Sequence, residues 1–374
     1  MATYLYEQIK DYLLGLIRDN SDKQNFQLPS ENQLALRFQT TRITAKRALN
    51  ELQKEGKIYR IHGKGSFAAA AKQETASARK RRDDFAVLCL PNLTSRFITD
   101  IVRGAQHFLR QKNVRLYVDV HESPEELEKS VSDAVLLGAV GLLVFPQNNT
   151  MYSKDLLLLA LNNYPVVFID RTLKSIDVSS VTTDHFASAK EATDLLLARG
   201  CTDIAFITPS PDLSTSIERR INGYKQSLSE HRIAVDASNE CYVPDDDDAD
   251  EIIRRYLAEH PEINGILSYG DKTGLSLYRV IAATGIRVPE DLKIVFLDDE
   301  YSNFADVLPF SPTCERQDGE MIGAEAARIL WEQHTNPEFR HEKKVLKSEL
   351  TERGSTRRAQ TIGTREVQQH ESTN

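Results

Sequence analysis

The sequence predicts a small α+β head joined to a much larger α/β body, and three observations carry that reading. In residues 1–69 two short helical stretches stand close together and are followed at once by two β segments around a glycine-bearing turn. From residue 85 onward, short apolar runs alternate with amphipathic stretches, the pattern of parallel sheets covered by helices. Charge divides along the same line. Residues 1–82 carry 16 Lys and Arg against 8 Asp and Glu, a balance of +8, which leaves 31 against 47, or −16, for residues 83–374. A basic head suits a polyanion, and an acidic body would be repelled by one.

Within the head, Tyr4 to Asp19 has Leu5, Ile9, Leu13, Leu16 and Ile17 at helical spacing, which predicts a helix packed behind the others. Leu28–Phe38 reads as a second helix, with Ser30 and Gln33 placed as a capping box. Thr41 is a good N-cap for a third, and Gly56 a natural stop. Only Gln39 and Thr40 separate the second and third helices, the spacing of a helix-turn-helix. Ala45, Ala48, Leu49 and Leu52 form one apolar stripe, while Arg42, Lys46 and Arg47 lie off it and face water or a partner. A short helix with a small buried back and a cationic front suits the major groove of DNA. Alone it would pass for an ordinary surface helix; its neighbours decide. Ile58–Ile61 and Ser66–Ala68 flank His62-Gly63-Lys64-Gly65, a strand-turn-strand with a cation at its tip. The whole is a winged helix.

These residues resemble the GntR family of bacterial regulators. The likeness spans residues 3 to 69 and rests on Tyr4-Leu-Tyr-Glu-Gln-Ile, Leu28-Pro-Ser-Glu, the Thr41 helix and Gly63-Lys-Gly-Ser-Phe, in that order. It implies DNA contacts from Thr41, Arg42, Thr44 and Lys46 on the recognition helix and from His62, Gly63 and Lys64 in the wing. The family usually has Arg after the Glu of the Pro-Ser-Glu motif. Here it is Asn32, which leaves the preferred base sequence open.

Residues 70–83 are small, polar and aperiodic, which predicts a linker; the Arg79-Lys-Arg-Arg run in it reads as solvated. In the body, strands are predicted at Phe85–Leu90, Val114–Val118, Gly141–Phe145, Pro165–Ile169, Ile204–Ile207, Gly265–Ser268 and Leu292–Leu297, with helices between. Residues 84–353 are enough for two doubly wound lobes, and residues 354–374, polar and aperiodic, are predicted to be a disordered tail.

Ligands on such sheets bind beyond the carboxyl ends of strands. Asp170-Arg171 follows one strand, Asp271 another and Asp298-Asp299 a third, and Arg219-Arg220 sits in a following helix. Each alone reads as a helix cap or a surface ion pair. Converging, carboxylates and an arginine can grip vicinal hydroxyls, and Phe97 or Tyr269 could supply an aromatic face for a sugar ring, both being equally readable as core.

Here the body resembles the effector domain of the LacI family, similar in fold to periplasmic sugar-binding proteins. The signs are Val166-Val-Phe-Ile-Asp-Arg, Ile217-Glu-Arg-Arg-Ile-Asn-Gly-Tyr, Gly285-Ile-Arg-Val-Pro-Glu-Asp-Leu and Val295-Phe-Leu-Asp-Asp. The resemblance implies ligand contacts at Phe97, Asp170, Arg220, Asp271, Asp298 and at Gln317 on a late loop, Thr313-Cys-Glu-Arg-Gln. Where the family commonly has Asn-Asp this chain has Gly270-Asp271, which leaves the effector's identity open. The short minor-groove helix of LacI relatives is absent too. A GntR-like reader on a LacI-like sensor resembles the arabinose repressors, implying arabinose or another simple sugar as effector.

Other classes find little support. No run of about 18 apolar residues suggests a membrane span, and the first residues do not read as a secretory signal, so a cytoplasmic protein is expected. Cys89, Cys201, Cys241 and Cys314 form no CxxC pair, and the histidines, His185 among them, lack metal-ligand spacing; no metal and no cofactor is expected. There is no Gly-x-Ser-x-Gly elbow, Walker loop or HExxH, so no enzyme is expected either. The reading is a repressor of carbohydrate-utilisation genes that binds duplex DNA as a homodimer, two-fold symmetry matching two half-sites. The alternatives are a solute-binding protein or a sugar-processing enzyme with an accessory DNA-binding module.

Overall fold

The protein was analysed as a computed structural model that describes residues 5–20, 26–61, 65–68, 84–146, 154–161, 164–172, 178–210, 214–244, 248–304, 307–336, 338–339 and 341–357. These form two compact units. The first holds residues up to Ser188, Ser210–Gly223 and Gln317–Ser348; the second holds Ala189–Pro209, Tyr224–Arg316 and the residues from Glu349 on.

In the first unit the chain opens with α1 (Leu5–Asp19), α2 (Glu31–Arg37) and α3 (Arg42–Lys54), then the antiparallel pair β1 (Ile58–Ile61) and β2 (Gly65–Ala68). The capping box on α2 is present: Gln33 N–H donates to Ser30 Oγ at 3.3 Å, and Ser30 N–H to Gln33 Oε1 at 2.8 Å. Ile9, Leu13, Leu34, Ala45, Ala48, Leu49 and Leu52 close over one core, so the 3- and 4-residue apolar spacing read from the sequence is what holds the three helices together.

The rest of this unit is a six-stranded parallel sheet in the order β13-β7-β6-β5-β3-β4. Its strands are β3 (Phe85–Leu90), β4 (Arg115–Val120), β5 (Leu142–Val144), β6 (Val166–Ile169), β7 (Ser179–Thr183) and β13 (Lys343–Leu346). The helices α4 (Arg96–Gln111), α5 (Pro124–Leu137), α6 (Lys154–Leu161) and α11 (Gly319–Thr335) cover it. The α4 and α11 backbones are pressed together: a Cβ on Gly104 would collide with the Glu320 carbonyl, and one on Gly323 with that of Ile101.

The second unit repeats the plan in the order β14-β12-β11-β10-β8-β9, parallel except for β14. Its strands are β8 (Ile204–Thr208), β9 (Glu240–Tyr242), β10 (Gly265–Ser268), β11 (Lys293–Phe296), β12 (Thr313–Arg316) and β14 (Glu349–Thr351). Here α9 (Ala249–Glu259) and α10 (Asp271–Thr284) pack on a core that includes Ile207, Ile266, Leu277, Ile294 and Phe296. Two helices, α7 (His185–Ala198) and α8 (Thr215–Glu230), start in one unit and continue in the other.

Several expectations need correction. Residues 313–316 are not a loop but the buried strand β12, whose polar Thr313, Cys314 and Glu315 hid it from apolar patterning. Residues 354–357 are not tail: Ser355 and Thr356 are buried, Ser355 Oγ accepts from Thr313 N–H at 2.8 Å and donates to the Ile294 carbonyl at 2.6 Å. These bonds, with Ser355 N–H donating to the Ser311 carbonyl at 2.8 Å and Ile294 N–H to that of Ser355 at 3.1 Å, tie the segment down and leave no periodic signal. Next to it, Arg199 forks onto Glu352 with two 2.6 Å bonds, which with Arg357 holds that carboxyl down at about 2. The predicted linker 70–83 and the chain beyond residue 357 lie outside the described residues.

Candidate functional site

Helix α3 and its cap carry Thr41, Arg42, Thr44 and Lys46, the residues expected to touch DNA on this face. Thr41 caps it: its Oγ1 accepts from Thr44 N–H at 3.0 Å and lies 3.0 Å from Thr44 Oγ1, and both side chains are buried. Arg42 is 70% exposed, its guanidinium donating to Glu31 Oε2 at 2.9 Å, while Arg60 from β1 takes the other Glu31 oxygen at 3.2 Å. One carboxylate of α2 thus holds a cation from α3 and one from β1. Lys46 is half-buried.

Arg47 departs from expectation. It does not face water: it is buried, with its guanidinium 3.9 Å above the Tyr6 ring and 5.2 Å from that of Tyr164. Helix α3 uses one face for its own core and lays Ile43 and Arg47 towards α5 and Tyr164, and cation–π stacking replaces the solvation Arg47 gives up. No helical period distinguishes such an arginine from a solvated one. In the wing, Ile61 pairs with Gly65 at the end of the ladder and Tyr59 stacks on Phe67 at 5.7 Å. His62, Gly63 and Lys64, between those strands, lie outside the described residues.

Four of the six expected ligand residues fall in the first unit: Phe97, Asp170, Arg220 and Gln317. Asp170 follows β6 directly, with a left-handed backbone (φ 65°) that costs a non-glycine residue about 1 kcal/mol. Its carboxylate is buried, 3.3 Å from His185 Nε2 and 3.4 Å from Arg171 Nε. Arg220, 2% exposed on α8, lies close enough to act on the same charge. Burial alone would raise the Asp170 pKa; the His185 hydrogen bond and the charges of His185, Arg171 and Arg220 outweigh it and bring it to about 2. Gln317, just after β12, accepts from Thr183 Oγ1 at 2.8 Å, two residues before His185. Phe97 lies in the first turn of α4, half-buried against the lobe's core.

The structure therefore brings Asp170 and Arg220 together with Arg171, which follows the same strand, and adds His185, to which the sequence assigns no role. The signal for His185 is positional: it opens a helix just after a strand, where sites on parallel sheets gather their groups. Because folding lowers the Asp170 pKa from 3.8, the ionised carboxylate stabilises the fold above about pH 4, and that contribution disappears as pH falls towards 2. Urea unfolding from pH 6 to pH 2 should show about 2 kcal/mol of this dependence, and Asp170→Asn should lack it.

Asp271 and Asp298 belong to the second unit. Asp271 is the first residue of α10, and its side chain lies outside the described set; Asp298, half-buried, follows β11. Its neighbour Asp299 is engaged elsewhere, accepting from Cys314 Sγ at 3.0 Å with Arg353 at 3.7 Å. Tyr269 is half-buried at the end of β10. The four cysteines are free and buried, and no cluster of His, Cys, Asp and Glu among the described residues would hold a metal ion.

A helix-turn-helix with a β wing, ahead of two parallel α/β units with charged strand ends, defines a class: a DNA-binding transcriptional regulator with a sensor body. Residues 5–67 match the family of bacterial regulatory proteins called gntR, and residues 193–356 match the periplasmic binding protein-like domain. The chain thus carries a GntR-type helix-turn-helix domain and a periplasmic-binding-protein-like domain in one polypeptide. It is 28% identical over 341 residues to the arabinose metabolism transcriptional repressor of Geobacillus stearothermophilus, covering 87% of this chain and 90% of that one. The repressor of the same description from Halalkalibacterium halodurans is 26% identical over 336 residues, 87% of each chain. Among solved structures, the transcriptional regulator CelR–cellobiose complex aligns with a TM-score of 0.65 at 24% identity, over 84% of this chain and 90% of that one. The transcription regulator CcpA of Lactococcus lactis aligns at 0.66 and 21%, over 74% and 100%. These two show the fold.

Proposed function

We propose that this chain represses carbohydrate-utilisation genes and leaves its operator when a small sugar, arabinose-like, binds the sensor body. The observation that carries the reading is the buried Asp170–His185–Arg171–Arg220 group at a strand end, downstream of a winged helix. A buried carboxylate and a guanidinium side by side offer the acceptor and the fork that neighbouring sugar hydroxyls require. Arg42, Lys46, Thr41, Thr44 and the wing residues His62, Gly63 and Lys64 are assigned to DNA. Phe97, Asp170, Arg220, Asp271, Asp298 and Gln317 are assigned to the effector. The names of the relatives support the sugar class: arabinose for two of them and ribose for another, from Bacillus subtilis.

The protein is proposed to act in the cytoplasm, as a binding protein with no catalytic role, and among the described helices none is long and apolar enough to cross a membrane. A sugar that prefers one of two conformations shifts the chain towards it, and a coupling of roughly 1–3 kcal/mol is enough to release DNA. Thermal-shift screening of monosaccharides and their phosphates, then operator binding with each hit, tests the proposal. A hit that leaves operator affinity unchanged would sink it.

Two-fold operators call for a dimer. The edge strand β4 exposes Tyr117, Val118 and Val120, and two copies paired antiparallel about Tyr117 would set Arg115 of each opposite Asp119 of the other. Tyr117→Asp should give a monomer by sedimentation with operator affinity lowered at least tenfold; a variant that stays dimeric moves the interface elsewhere.

A further inference from the structure

Helix α3 keeps one face for its own core, Ala45, Ala48, Leu49 and Leu52, and the helical repeat puts Ile43, Arg47, Glu51 and Lys54 on its far side. That far side lies against the lobe of the same unit. Ile43 packs on the core that includes Val135, Leu159 and Tyr164. Arg47 stacks on Tyr6 and Tyr164, and Tyr164 is itself pinned, its Oη donating to the Ala139 carbonyl at 2.8 Å. A Cβ on Gly138, the C-cap of α5, would stand 3.4 Å from Glu51 Oε1 and 3.9 Å from Lys54 Nζ. An ammonium beside the C-terminal end of a helix is favourably placed. A small cavity between the two surfaces is lined by Tyr6, Thr44 and Arg47 on one side and by Val135, Leu159 and Tyr164 on the other. Thr44, expected on DNA, is buried there.

We propose that α5 and Tyr164 form a docking surface for α3, and that the chain cannot read DNA while α3 is docked on it. The proposal rests on the assignment of α3 to DNA made above. A helix enters the major groove with the side opposite its own core, and that is the side the lobe occupies. The groove is about 12 Å wide and a helix with its side chains about 10–12 Å across, so it admits α3 but not α3 with α5 against it. Operator and lobe therefore compete for one surface, and operator affinity is scaled by the fraction of chains in which α3 is undocked. The lobe is a built-in competitor of the operator, whichever molecule the body senses.

The test uses the full-length chain without sugar. Glu51→Cys and Leu137→Cys together place two thiols at the contact, Leu137 being exposed and next to Gly138, while the four native cysteines are buried. A short bis-maleimide should link them within one chain, operator added beforehand should prevent the link, and the linked chain should bind operator at least about tenfold more weakly. No link, or a linked chain with unchanged operator affinity, would overturn the proposal. Tyr164→Ala leaves α3 untouched and removes a ring from Arg47, so it should tighten operator binding by about tenfold at an unchanged salt slope, with Tyr164→Phe close to wild type. Unchanged or weaker binding by a Tyr164→Ala chain that still melts cooperatively would overturn the competition; should that variant not fold, the cross-link decides. If the link forms while Arg42→Ala and Lys46→Ala leave operator affinity unchanged, the assignment of α3 to DNA has failed, and with it this inference, with the docking left intact.

Discussion

Arg220→Ala should abolish the effector response and leave operator binding at the wild-type level. Arg220 is 2% exposed and acts on a carboxylate that is itself buried. Removing it leaves Asp170 with His185 and Arg171 alone, and stripping one partner from a buried charged group typically costs about 3 kcal/mol. The fold should survive that loss, because Asp170 keeps two partners and the lobe's apolar core is untouched. What disappears is the directed donor. Arg220→Lys should recover little, since an ammonium cannot reproduce a planar fork. The measurement is operator affinity with and without sugar, alongside calorimetry of the sugar itself. Normal sugar affinity in Arg220→Ala would place the effector somewhere other than beside Asp170.

Arg42→Ala and Lys46→Ala should each weaken operator binding by about tenfold and make its dependence on salt shallower by about one counterion. Sugar binding should not change. Arg42 is the most open cation of α3 and is pre-oriented by Glu31, so its loss removes a placed charge and not a roaming one. Arg47→Ala supplies the contrast. That guanidinium is spent on two tyrosine rings, and its removal should lower stability with little effect on the salt slope. Operator affinity unchanged in both Arg42→Ala and Lys46→Ala would reject α3 as the recognition helix.

Much of the architecture could be read from local pattern. The capping box at Ser30, the Thr41 cap and the 3- and 4-residue spacing of Ala45, Ala48, Leu49 and Leu52 specify their helices through neighbours in the chain. Strands such as Val166–Ile169 are buried on both faces and so appear as unbroken apolar runs. Residues Ser179–Thr183 and Thr313–Arg316 are equally buried strands, yet their serines, threonines and glutamate carry no such run. Their hydroxyls are satisfied by partners far away in sequence, as Thr313 is by Thr356, and only the folded chain supplies those.

The division of labour follows from range. Local sequence by itself determined a cationic helix-turn-helix ahead of alternating strands and helices, because caps, periodicity and charge act between residues a few positions apart. Tertiary structure alone decided which charges are spent inside the protein. It put Arg47 between Tyr6 and Tyr164 and gathered His185 and Arg171 around Asp170. Burial, ion pairing and excluded volume depend on which distant residues meet, and that is settled only when the chain has folded.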